Sequence, residues 1–185
     1  MARQTLIAYW LIPSEPVRSF FQRTINDLAR RYDAPVFEPH VTIHVGCDDP
    51  AAAGKALREA AQKCKLVSLA PRGIDHSDEF IKTLFVQFAI NPDLRHIHAV
   101  IRHAAKDSSE YELRPHLSLL YKSLSSAKRT ELAASIIVPF AQICFDSLQA
   151  IRCVSPTRNR ADVEAWELIN ASSLGSANCN VESHM

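Results

Sequence analysis

The sequence predicts an α+β protein made of two related halves set side by side with pseudo-twofold symmetry, and three observations predict it. The segments PHVTIHV (39–45) and PHLSLLY (115–121) each place a proline, a histidine and, two residues on, a hydroxyl in a strand-like pattern; the two histidines lie 76 residues apart. Each segment is followed by a helix-like stretch and then by a pair of strand-like stretches. The chain has 185 residues, 47% of them hydrophobic and 22% charged, which suits one domain with a real core and argues against extensive disorder.

The elements follow in order. TLIAYWLIP (5–13) is an apolar and aromatic run that reads as a buried first strand ending at Pro13. Ser14 offers an N-cap, Pro16 sits near the first turn, and Val17, Phe20, Phe21, Ile25, Leu28 and Tyr32 recur at helical spacing, so a helix is expected over 15–32. VTIHVG follows as a strand, and Asp48 or Asp49 with Pro50 opens a second helix over 51–64. LVSLAPRGI (66–74) and EFIKTLFVQFAI (79–90), joined by DHSD, read as a hairpin. Asn91 and Pro92 start a helix through Lys106, and HLSLLY is the next strand. Ser125 or Ser126 caps a helix ending before Pro139. ICFDSLQAIRCV (143–154) and VEAWELI (163–169) read as final strands separated by the loop SPTRNRAD. Residues 1–171 are expected to form one domain and 172–185, small and polar, a loose tail.

The balance of charge narrows the partners. A formal net charge of +1 supplies no field for gripping a long polyanion, so a small substrate is expected and no long nucleic acid. No apolar run approaches the length of a membrane span, and the N-terminus lacks a signal-peptide cleavage pattern, so a cytoplasmic monomer with no membrane contact is expected. Cys47, Cys64, Cys144, Cys153 and Cys179 form no CxxC pair, which points to free thiols and leaves a disulfide open, including one between Cys64 and Cys179. Glycine-rich phosphate loops are absent, so neither ATP nor a nicotinamide cofactor is indicated. His96, His98 and His103 fall on one helix with no Asp, Glu or Cys at zinc-site spacing; they are expected in solvent, and no metal is expected.

In a strand, residues i and i+2 project from one face, about 6 to 7 Å apart. His40 therefore sits beside Thr42, and His116 beside Ser118. If both strands face one cleft, two imidazoles and two hydroxyls converge. Imidazoles can supply one base and one acid near neutral pH, and hydroxyls donate to phosphate oxygens. A single HxT more often holds a structural histidine; two in equivalent halves point to chemistry.

With HVTI and HLSL the chain resembles the 2H phosphoesterases, and with AYWLIP, EPHVTI and RPHLSLLY in this order it resembles their plant-type cyclic phosphodiesterase branch, from about Leu6 to Leu168. The resemblance implies a bilobal fold, two pseudo-twofold-related lobes of antiparallel sheet with outer helices, and motif strands lining a central groove. It implies metal-independent opening of 2′,3′-cyclic nucleotides to 2′-phosphates, and of ADP-ribose 1″,2″-cyclic phosphate to ADP-ribose 1″-phosphate. His40 and His116 become the catalytic pair and Thr42 and Ser118 the phosphate ligands, with base and acid not distinguished. Two other functions compete: RNA-end processing by a ligase-like or exonuclease member of the superfamily, and nucleotide or RNA binding without catalysis.

Further residues are candidates for substrate contact. His44 continues the His40 face, so it is expected either at the rim of the cleft or as a locally satisfied histidine. Tyr121 falls on the face opposite His116 if alternation persists, which favours packing, although the family often has an aromatic near the nucleotide here. Trp10 and Tyr9 are candidates to stack on a base, with at least one expected in the core. Lys82 shares a strand face with Phe80 and Leu84, pointing either into the groove or to solvent.

Overall fold

The computed structural model describes residues 3–106 and 111–175. Within these residues eight strands form one sheet, β1 (Gln4–Pro13), β2 (Val41–Cys47), β3 (Val67–Leu69), β4 (Pro71–His76), β5 (Leu84–Phe88), β6 (His116–Leu120), β7 (Ile143–Ser155) and β8 (Glu167–Ser173). Five helices accompany them: α1 (Val17–Tyr32), α2 (Pro50–Lys63), α3 (Pro92–Ala104), α4 (Ser126–Ser135) and the short α5 (Arg160–Glu164). All named strand pairs are antiparallel, in the order β3-β7-β1-β2-β6-β5-β4, with β8 also on β7. Strand β8 carries the chain to Ser173, past the Ser172 boundary expected for the tail.

The middle of that order carries the pseudo-symmetry. The motif strands β2 and β6 lie side by side and pair through one residue couple, Val41 with Leu117. Outward from them, β1 answers β5 and β7 answers β4. Helices cross over between the halves: α1, which leads into β2, packs on β6, while α3, which leads into β6, packs on β2. The halves are therefore interleaved, and each lobe is completed by chain from the other half. Val17, Phe21, Leu28, Leu94, Ile97 and Ile101 are among the buried helical positions of the core, the apolar spacing the sequence shows.

Most element starts follow their caps. Asp49, Asn91 and Ser125 accept from the backbone N–H groups of Ala52, Leu94 and Lys128. Ser14 does not cap α1; Pro16 holds that position, and the Ser14 hydroxyl donates to the Cys144 carbonyl on β7. LVSLAPRGI breaks at Ala70, so Val67–Leu69 joins β7 and Pro71–His76 forms the hairpin with β5. The expected last strand also starts later. Asn159 caps α5 through the Asp162 N–H, which makes Val163 and Glu164 helical and delays β8 to Glu167. Cys47, Cys64 and Cys153 are free thiols, so Cys64 forms no bridge; Cys179 lies outside the described residues.

Candidate functional site

Each motif histidine is preceded by a proline, which biases the residue before it toward extended backbone. That brings the carbonyl two residues back against the ring: His40 Nδ1 lies 2.6 Å from the Glu38 carbonyl oxygen and His116 Nδ1 2.8 Å from that of Arg114. A carbonyl only accepts, so both Nδ1 atoms carry the proton and both Nε2 atoms are left as the reactive nitrogens. His40, Thr42, His116 and Ser118 line a single cavity of about 300 Å³.

Burial sets the electrostatics. His40 is only 6% exposed and stacks face to face on Trp10, with ring centroids 3.6 Å apart. Desolvation pushes its pKa down to about 3, against the bond to Glu38, and the charge of His116 pushes the same way. His116 is held below its ordinary value chiefly by burial as well; the Arg114 carbonyl opposes this, Lys82 adds to it and Glu79 counters it. An imidazole with so depressed a pKa is neutral near pH 7, and it gains a proton readily only beside an anion. The Ser118 hydroxyl donates to the Ile81 carbonyl at 2.9 Å.

The other candidates divide. Trp10 and Lys82 line the cavity; Lys82 does so from a 3-10 turn over Phe80–Lys82, not from a strand, with its ammonium 5.1 Å from the centre of the Phe85 ring. Tyr9 faces the helices and belongs to the core. Tyr121 is buried and packed, stacked on Phe37, as expected, but on the cavity face of the strand and not on the opposite one. His44 does the reverse: it is fully buried beside Tyr9, His98 and Tyr111.

Both displacements have one physical cause. On β2, Tyr9 pairs with His44 and Trp10 with Thr42, so Ile43 is an extra residue. On β6, Leu84 pairs with Leu120 and Phe85 with Ser118, so Leu119 is extra in the same way. A bulge directly after each hydroxyl residue reverses the alternation beyond it. Val45 and Tyr121 therefore face the groove, and His44 and Leu120 face the core. His98, expected in solvent, is tied by Nδ1 to the Ile43 carbonyl at 2.7 Å; His96 and His103 are exposed.

One wall escaped sequence reading: Cys153, Val154, Ser155, Pro156, Thr157, with Trp166, line the cavity. The strand-like pattern of VEAWELI hid Trp166, whose ring meets Trp10 edge-on at 5.2 Å and His40 at 6.1 Å. Among the described residues, no group of three or more His, Cys, Asp or Glu is placed to hold a metal ion, and no helix is long and apolar enough to cross a membrane.

Residues 6–182 match the family described as cyclic phosphodiesterase-like protein. The chain belongs to this family. Within it, the cyclic phosphodiesterase of Arabidopsis thaliana is 22% identical over 176 residues, covering 93% of this chain and 97% of the relative. Membership places the chain among the 2H phosphoesterases, as a phosphodiesterase. Solved structures agree on the fold. Escherichia coli LigT, in a crystal structure with 3′-AMP, superposes with a TM-score of 0.58 at 13% identity, covering 95% of this chain and all of that one. TT0787 of Thermus thermophilus gives 0.57 at 14% identity, covering 93% of this chain and all of the other. The α+β architecture, an antiparallel eight-stranded sheet with accompanying helices, is thus shared with these solved structures.

Proposed function

We propose that this phosphodiesterase opens ribose cyclic phosphates, converting 2′,3′-cyclic nucleotides to 2′-phosphates, with ADP-ribose 1″,2″-cyclic phosphate as a second substrate. The observation that carries the reading is the pair of imidazoles with matching Nδ1 anchors in one cavity with Thr42 and Ser118. One Nε2 takes a proton from water as its oxygen attacks phosphorus; the P–O3′ bond breaks, and the other imidazole, as imidazolium, protonates the departing O3′. Thr42 and Ser118 donate to the non-bridging oxygens, for which the Ser118 proton turns from the Ile81 carbonyl to phosphate.

The cavity's size supports a small ligand, lying at the lower end of the roughly 300 to 1,000 Å³ of small-molecule sites. Trp10, Trp166 and Tyr121 provide aromatic surface for the nucleoside, and Lys82 adds a cation at the rim. Arabidopsis cyclic phosphodiesterase carries the activity in its name, and LigT has been crystallised with 3′-AMP, ATP and NADP+; small nucleotides on the same fold support the substrate class. The test is incubation of purified protein with 2′,3′-cyclic AMP and with ADP-ribose 1″,2″-cyclic phosphate, followed by chromatography of products. Formation of 2′-AMP is expected; exclusive 3′-AMP, or no turnover of either compound, refutes the proposal.

A further inference from the structure

The bulge on β2 decides which side chains reach the groove, and its backbone is gripped from outside the motif. Ile43 is the unpaired extra residue, and a buried carbonyl at such a site needs a donor. His98, on α3, supplies one to the Ile43 carbonyl at 2.7 Å. Tyr111, just before β6, donates its hydroxyl to the neighbouring Thr42 carbonyl at 3.2 Å. Two consecutive carbonyls are thus held by two side chains from the other half of the chain. Beyond the grip, Val45 faces the cavity and His44 is fully buried.

We propose that His98 and Tyr111 are positioning residues, which hold the β2 bulge in place and through it keep the Thr42 hydroxyl aimed into the groove. Neither is asked to touch phosphorus chemistry. Without the grip, the extra residue can move along the strand, and sliding it ahead of Thr42 reverses the face of Thr42. Sliding it the other way, past His44, brings His44 out of the core, and a bulge released from the grip is free to move in both directions. His98→Asn keeps an amide N–H where the imidazole Nδ1–H lies, whereas His98→Ala removes the donor.

Two measurements test this, the first resting on the proposed cyclic phosphate hydrolysis and the second independent of it. In the first, kcat/KM on 2′,3′-cyclic AMP is compared for wild type, Thr42→Ala, His98→Ala, His98→Asn and the Thr42→Ala/His98→Ala double variant. Because His98 acts through Thr42, His98→Ala should lose about tenfold or more, the double variant should stay within about threefold of Thr42→Ala, and His98→Asn should recover most of the loss. Losses that multiply, or a fully active His98→Ala, overturn the proposal. The second measurement is diethyl pyrocarbonate labelling of His44, read by mass spectrometry on folded protein. His44 should be protected in wild type and His98→Asn and labelled in His98→Ala and Tyr111→Phe; protection in both of the latter overturns the proposal. If His98→Ala does not fold, the Tyr111→Phe footprint decides alone. A wild type inactive on every cyclic phosphate would remove the proposed function, while the footprint would still decide whether the two side chains hold the bulge.

Discussion

The proton that the departing oxygen needs should be recruited by the substrate itself. In the ligand-free protein, burial holds the His40 pKa at about 3, so at pH 7 only about one molecule in 10⁴ carries an imidazolium there. A phosphate anion placed about 4 Å from the ring adds about 4 kcal/mol of attraction at the effective dielectric of 20 that describes such sites. At 1.36 kcal/mol per pH unit this raises the midpoint by about three units, into the working range of an acid, and the protonated fraction rises by about 10³. That gain is comparable to the 10² to 10⁴ a positioned acid contributes to rate. The assay is a proton NMR titration of the histidine Cε1–H signals, with His40→Asn used to assign the resonance, in free protein and with saturating 2′-AMP or inorganic phosphate. A His40 signal that stays neutral below pH 5 when free and titrates about three units higher with anion is expected. A free-protein midpoint near 6.5, or no movement on adding anion, would refute the reasoning.

Three other outcomes are expected. His40→Asn and His116→Asn keep an N–H for the Glu38 or Arg114 carbonyl but lack Nε2, so each should lower kcat by about 10² to 10⁴ with far-UV circular dichroism unchanged. Thr42→Ala and Ser118→Ala each remove a hydrogen bond to a charged oxygen, about 1.5 to 3 kcal/mol, and should lower kcat/KM by about ten- to a hundred-and-fifty-fold in steady-state kinetics. Because the folded His40 pKa lies below the unfolded value, the unfolded chain binds more protons between about pH 3 and 6.5. Stability measured by urea denaturation should therefore fall as pH drops through that window, by up to about 1.4 kcal/mol per unit, and less steeply in His40→Asn.

Much of the site was legible from local pattern. Period-two alternation placed a histidine beside a hydroxyl on both motif strands; the carbonyl contacts that leave Nε2 free became visible only in the structure, where the prolines account for them. Caps at Asp49, Asn91 and Ser125 marked three helix starts because a side-chain oxygen three residues from an unpaired N–H is a local arrangement. Such features arise from covalent spacing and backbone sterics, and these need no distant partner.

Tertiary structure decided the rest. Alternation cannot announce a bulge, because the extra residue exists only relative to a partner strand; the register of β1 on β2 and of β5 on β6 turned His44 inward and Tyr121 outward. The exchange of α1 and α3 between lobes brought His98 under the bulge and off the solvent face that its helix pattern implied. Trp166 reached His40 only because α5 interrupts the expected strand and β7 runs alongside β1. The unusual chemistry of His40 was likewise invisible in the sequence: an imidazole's pKa follows the water it loses, and that loss depends on how Trp10, Phe37 and Trp166 close around it in space.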